Sequence, residues 1–279
     1  MEQNEGRVLA DVLAKQNEES LKEFSNFMEE TVQLPSGGIA YKSGTSFVKV
    51  RPMRGLEEDI LTNQKLVRSG KAFDMLLSNC ITDWNGLDLK DLLYGDMNTV
   101  FAAIRTISLG ADYDVSIICE ECGEKQNQTI NMIKDFKNKI IEVEPKVSNK
   151  NVFEWVSKDG FVFIFKFLTN GDHRFLQEEE RMRKAQNKTN YETSMTDTLC
   201  QMILSIKNSN GVEVTDRLNI KKLVKERLSI ELIKEFADYV NKNKPDYDMS
   251  YNFECSSCGA VFNANVPITT EFFWPSTRS

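Results

Sequence analysis

Two cysteine pairs, Cys119-Glu-Glu-Cys122-Gly123 and Cys255-Ser-Ser-Cys258-Gly259, constrain this chain more than any other feature. Thiolates three positions apart on a tight turn both reach one tetrahedral ion at about 2.3 Å. The glycine after each pair supplies the left-handed backbone such a turn needs. Each pair is entered by a β-rich segment and left by another: residues 113–118 and 125–130 around the first, 247–253 and 260–266 around the second. The pattern predicts a zinc ribbon with Cys119, Cys122, Cys255 and Cys258 as the ligands of a structural Zn2+. About 130 residues separate the pairs, more than the usual ribbon spacing, so a long insertion must leave and return at the same place. Four thiolates leave no coordination position for water, which favours a staple over a catalyst. A redox CxxC and a pair of local disulfides are the competing readings. Cys80 and Cys200 lie inside helical apolar patterns and read as small buried residues.

A chain of 279 residues, 41% hydrophobic and 28% charged, can bury a substantial core as one elaborated domain or two smaller ones. Its net charge of −7 opposes a large phosphate-binding surface, so nucleic acid is not an expected partner. No apolar run approaches the ~20 residues that span a bilayer, and the first residues lack a basic region followed by an apolar one. A cytoplasmic location without membrane contact is the expectation, and sparse, paired cysteines suit a reducing compartment.

Residues 8–31 carry Leu9, Val12, Leu13, Leu21, Phe24, Phe27 and Met28 at helical spacing, predicting an amphipathic helix that docks onto its own domain or is offered to a partner. Residues 39–41 and 47–50 read as a hairpin around Ser43-Gly44, and residues 56–66, 70–80 and 88–109 as three helices. Residues 153–156 and 161–168 form a strong hairpin signal around Ser157-Lys-Asp-Gly160. With Phe161, Phe163, Phe165 and Phe167 on one face, the second strand should be central and buried. Helices are predicted over 173–187, 191–207, 220–225 and 230–241. The aromatic tail Thr269-Thr-Glu-Phe-Phe-Trp-Pro275 either docks on this chain or inserts into a neighbour, with Phe272, Phe273 and Trp274 as anchors. Leu21, Phe24 and Phe27 are the corresponding candidates at the other end.

The signs of catalysis are missing. His173, the single histidine, follows Gly171-Asp172 at a helix start and suits a local or cap interaction. Neither a P-loop nor GxGxxG is present, and the acidic runs Glu57-Glu-Asp59 and Glu178-Glu-Glu180 read as solvated helix faces. The chain is expected not to be an enzyme.

Several segments occur in an order that resembles the T4-type bacteriophage baseplate hub and hub-assembly proteins. These are Leu34-Pro-Ser-Gly-Gly-Ile-Ala-Tyr41, Glu57-Glu-Asp-Ile-Leu-Thr-Asn63, Leu76-Leu-Ser-Asn-Cys-Ile81, Asp91-Leu-Leu-Tyr-Gly-Asp96, Ile104-Arg-Thr-Ile-Ser-Leu-Gly110 and the Cys119 pair. The likeness covers residues 30–130 and the carboxy-terminal knuckle. It implies a late phage protein, made in the host cytoplasm, that binds other hub proteins as a hetero-oligomer, or forms a homo-oligomer, during assembly of the baseplate hub. A permanent place in the virion tail baseplate is the alternative; a zinc-stabilised adaptor unrelated to phage and a metal-dependent hydrolase are more distant ones. Glu57, Asp59, Asn63, Asp96 and Arg105 become interaction or packing positions, Arg105 needing a carboxylate for which Asp96 is a candidate.

The fold expected is therefore α+β: a helical core with short antiparallel hairpins and a split four-cysteine zinc ribbon enclosing a long insertion. Residues 1–33 form an N-terminal amphipathic helix. Residues 34–131 plus 246–279 form the hub-family domain with ribbon and tail, and residues 132–245 the inserted α+β region.

Overall fold

The computed structural model describes residues 29–186 and 195–273, in which helices and small antiparallel sheets combine as α+β. Leu21, Phe24, Phe27 and Trp274 lie outside the described residues. Strand β1 (Glu30–Gln33) pairs with β2 (Phe47–Val50), so residues 30 and 31, expected at the end of the first helix, are strand. Residues 39–41 are turn rather than strand, and the partner of β2 lies upstream at residues 30–33, before a longer loop. Burial explains the choice: Val32, Val48 and Val50 turn inward in register, whereas Leu34, Ala40 and Tyr41 reach the same core from the loop.

Helices α1 (Gly55–Thr62) and α2 (Gln64–Arg68) replace the single helix expected over 56–66. The break is Asn63, whose side chain accepts from the N–H groups of Lys65 and Leu66 and so caps α2. Helix α3 (Lys71–Cys80) runs into β3 (Ile81–Asp83), which adds to β2 and completes a sheet of order β1-β2-β3. Residues 88–93 are turns and a bridge, so α4 (Tyr94–Leu109) starts later than its apolar spacing predicts. With nine buried residues α4 is the element against which the others pack.

Strands β4 (Asp112–Ile118) and β5 (Lys125–Asn131) form the first long hairpin, and β6 (Lys137–Lys139) follows. Beyond it, β7 (Phe153–Val156) and β8 (Val162–Phe165) pair as expected. Helix α5 (Asn170–Ala185) comes next, then the short helix α6 (Met195–Met202). Residues 203–207, expected as helix, instead form β9 (Ile203–Lys207) beside β8. Ile203, Ser205 and Ile206 are buried there, and β-branched side chains suit a pleated buried surface better than a helix end. With β10 (Glu213–Val214) the sheet order is β10-β9-β8-β7, placing β8 inside, with Phe163 and Phe165 fully buried.

Helices α7 (Arg217–Glu226) and α8 (Ile230–Asn243) lead to β11 (Asp246–Asp248), which pairs with β6 across α4. Strands β12 (Ser250–Glu254) and β13 (Val261–Asn265) make the second long hairpin, followed by the one-turn α9 (Thr270–Phe273). One continuous apolar cluster holds Phe101 of α4, Phe163 of β8, Phe236 of α8 and Phe272 of α9. Among the described residues no helix is long and apolar enough to cross a membrane.

Candidate metal centre

The β4–β5 and β12–β13 hairpins carry one cysteine pair each at their turns and meet tip to tip. Their backbones repeat the same hydrogen bonds. Cys119 N–H donates to the Glu124 carbonyl and Gly123 N–H to the Cys119 carbonyl, both at 2.9 Å. Cys255 N–H donates to Ala260 and Gly259 N–H to Cys255, both at 2.8 Å. Gly123 and Gly259 adopt φ of +74° and +73°, so each closes its knuckle in the conformation glycine alone takes without strain.

All four sulfur atoms lie within 4.8 Å of one another. Cys119 Sγ is 3.8 Å from Cys258 Sγ and Cys122 Sγ is 3.7 Å from Cys255 Sγ, far longer than a disulfide. A tetrahedron with bonds of about 2.3 Å has edges of about 3.8 Å, so the pocket between the sulfurs has the dimensions of a metal–tetrathiolate site. Cys119 and Cys255 are buried and Cys122 and Cys258 exposed, so the ion would sit at the surface with two ligands facing solvent. The backbone N–H groups of Cys258 and Ser257 aim at the Cys255 sulfur and hold its thiol down at about 7, whereas the neighbouring thiols push Cys122 up to about 12 and Cys258 upward. The four cysteines could hold a metal ion.

The sequence alone did not reveal what joins the two hairpins besides the cysteines. Gln126 Nε2 and Gln128 Nε2, on one face of β5, donate to the Glu254 carbonyl at 3.1 and 2.7 Å. Gln126 Oε1 accepts from the N–H and the hydroxyl of Ser256, each at 2.9 Å. The i, i+2 repetition of glutamine on a strand entering from a knuckle was the available signal.

Residues 36, 41 and 96, and residues 51, 54 and 57, assemble into buried polar clasps. Asp96, at the start of α4, accepts from Ser36 N–H at 2.9 Å, from the Ser36 hydroxyl at 2.6 Å and from the Tyr41 hydroxyl, which itself accepts from Leu93 N–H at 2.9 Å. The 34–41 and 91–96 segments are thus one unit. Burial pushes the Asp96 carboxyl up to about 6 even though three donors favour its charged form.

Arg105 is not its partner. That side chain donates to the carbonyls of Gly110 and Asp112, which lie at the end of its own helix and just beyond, and stands 5.1 Å over the Tyr113 ring. Backbone carbonyls at the helix C-cap and the start of β4 take two nitrogens of the guanidinium without a carboxylate, while its buried Nε has no hydrogen-bond partner.

Glu57 is not on a solvated face either. It is fully buried, paired with Arg51 at 3.0 Å, and accepts from Arg54 N–H to cap α1. Burial would raise its carboxyl, but Arg51 and the Arg54 N–H together hold it below its ordinary range. Asp59 is exposed and Asn63 is the cap described above. Glu178, Glu179 and Glu180 pair with Arg181, Arg183 and Lys184 along α5. The His173 ring lies tilted against Tyr94 with ring centroids 4.8 Å apart, and its Nε2 lies 3.0 Å from the Gln177 amide nitrogen. Cys80 and Cys200 are buried in helices.

Of the two placements open to the tail, docking on this chain is the one seen for its described residues. Phe272 and Phe273 are fully buried in this chain: Phe273 packs edge-on against Phe101 at 5.5 Å and beside Phe73 at 6.1 Å, and Phe272 meets Tyr113 at 5.2 Å. Phe273 thus enters between α3 and α4 while Phe272 lies against β4, and both rings gain more from burial than from exposure to solvent.

A family model described as T4 bacteriophage base plate protein matches residues 11–274. No curated protein and no solved structure matches the chain.

Proposed function

The chain belongs to the T4 bacteriophage base plate protein family, and we propose from that membership that it assists assembly of the central hub of a contractile-tail baseplate by binding hub subunits. The observation that carries the reading is the reach of the family match, which takes in the N-terminal stretch, both knuckles and the aromatic tail. Buried clasps at Asp96 and Glu57 support a scaffold that presents surfaces rather than one that performs chemistry. In this reading the protein is not an enzyme, works in the host cytoplasm as a transient chaperone-like factor, and forms a hetero-oligomer with other hub proteins. A structural Zn2+ on Cys119, Cys122, Cys255 and Cys258 staples the ends of the 132–245 region; its chemistry is to hold, with no ligand position for a substrate. The sulfur spacing supports that assignment.

With Phe272 and Phe273 committed to this chain's own core, the proposed partner anchors are Leu21, Phe24 and Phe27 of the N-terminal stretch, and Trp274. The test is co-expression of the tagged full chain with each hub protein of the same phage. A hub protein should co-purify, and replacing Leu21, Phe24 and Phe27 together by serine should abolish capture while the chain stays folded. Failure to capture any hub protein sinks the proposal. Mature virions probed for this polypeptide decide its role: absence identifies an assembly factor, stoichiometric presence a permanent component.

A further inference from the structure

We propose that Gln126, assisted by Gln128, is a positioning residue for the metal centre: its amide holds Cys255 at ligating distance from the first knuckle before any ion arrives. The inference rests on reading the four cysteines as a metal site. Glu254 and Ser256 are the immediate neighbours of Cys255, and the first hairpin grips both. Two amide donors reach the Glu254 carbonyl, and the Gln126 oxygen takes the N–H and hydroxyl of Ser256. Cys255 is therefore bracketed on both sides by bonds that cross 126 to 130 positions of sequence and involve no sulfur.

Such bracketing matters because the ligands come from two separate hairpins. Without it, the ion must itself supply the entropy of bringing the knuckles together, and that cost lowers affinity. With it, the second knuckle is oriented before binding, as hydrogen-bonding partners orient ligands around other metal sites, where their loss costs about 10–100-fold in affinity. The bonds are at the rim, open to water, so each contributes little to stability by itself. Gln126 and Gln128 should therefore affect metal affinity more than metal-free stability.

The experiment uses the full chain, with Zn2+ titrated against a competing chelator and Co2+ as a spectroscopic probe. Gln126→Ala should lower Zn2+ affinity about 10-fold, and the Q126A/Q128A double variant further. Gln126→Glu keeps an acceptor for Ser256 but loses the donor to Glu254, so it should fall between wild type and Q126A. The Co2+–thiolate absorption per bound ion should stay unchanged, because all four ligands remain, and the metal-free variants should melt with metal-free wild type. Equal Zn2+ affinity in wild type and the double variant overturns the positioning role. A metal-free variant that has already lost its stability also overturns it, since Gln126 is then a fold residue only. Wild type that binds no ion at all refutes the metal reading itself, a different result from either of these.

Discussion

Replacing Gly95 by alanine sets two effects of opposite sign against each other. Gly95 is the second residue of α4, and in an unobstructed helix alanine is favoured over glycine by up to about 1 kcal/mol. In this fold the new Cβ would lie 1.7 Å from the Pro245 carbonyl oxygen, 2.5 Å from its carbon and 3.0 Å from Asp246 Cα. These are backbone atoms that cannot rotate away, so residues 245–246 must move by roughly 1.5–2 Å to restore ordinary contact distances.

That movement strains the β11–β6 pairing and two side-chain bonds that tie it to α4, Asn98 Nδ2 to Asp246 Oδ1 at 2.9 Å and Thr99 Oγ1 to Asn138 Oδ1 at 3.0 Å. Overpacking costs about 1–3 kcal/mol, and each lost bond about 1 kcal/mol. After the helix gain is subtracted, the net destabilisation is about 3 kcal/mol. For a chain of this size that lowers Tm by about 6–12 °C. Circular dichroism melts of zinc-loaded full-length wild type and Gly95→Ala measure it, with Gly55→Ala as control, since a Cβ at Gly55 meets nothing within 4 Å at the start of α1. A Gly95→Ala protein that melts at or above wild type refutes the close approach of α4 and residues 245–246.

Three other outcomes follow from the same structure. If the proposed Zn2+ staple holds, Cys258→Ser should lower the zinc bound per chain and reduce thermal stability in the presence of Zn2+; unchanged zinc and Tm by metal analysis and calorimetry would remove the basis for the staple. Phe273→Ala should destabilise by about 3–5 kcal/mol in urea titrations, because the ring is fully buried against Phe73 and Phe101, and a neutral result would mean the tail does not dock in cis. Asp96 has its carboxyl raised to about 6, so the folded state holds that proton more tightly than the unfolded chain. Its contribution to stability is therefore present at low pH and lost as pH rises through about 6, a difference of about 3 kcal/mol. Asp96→Asn should lack that pH dependence, so the stability difference between variant and wild type should change by about 3 kcal/mol across pH 4–7, and parallel stability profiles would contradict the buried carboxyl.

Much of the architecture follows from local pattern. The two CxxCG knuckles, the hairpins that bear them, the central strand with Phe163 and Phe165, and α8 could be read directly, because turn glycines, alternation and 3.6-residue spacing are short-range signals. The four-cysteine cluster was also readable, since a shared ion is one of few reasons to repeat that motif. The errors fall where distant partners decide. Residues 203–207 continue a helical pattern but become strand because β8 offers them a buried edge, and residues 30–31 do so because β2 lies alongside.

Buried polar chemistry was the least legible. From sequence, Glu57 reads as solvated and Arg105 as a partner for Asp96; the fold pairs Glu57 with Arg51, gives Asp96 to Ser36 and Tyr41, and turns Arg105 onto the carbonyls beyond its helix. Hydrogen bonds are made across space at about 3 Å, and nothing in residue order says which donors will converge at that range. The sequence by itself determined that two thiolate turns exist and can share an ion. Only the tertiary structure decided that the sulfurs stand at tetrahedral spacing, that Gln126 and Gln128 bracket Cys255, and that Phe272 and Phe273 belong to the chain's own core, because each depends on which surfaces exclude water together.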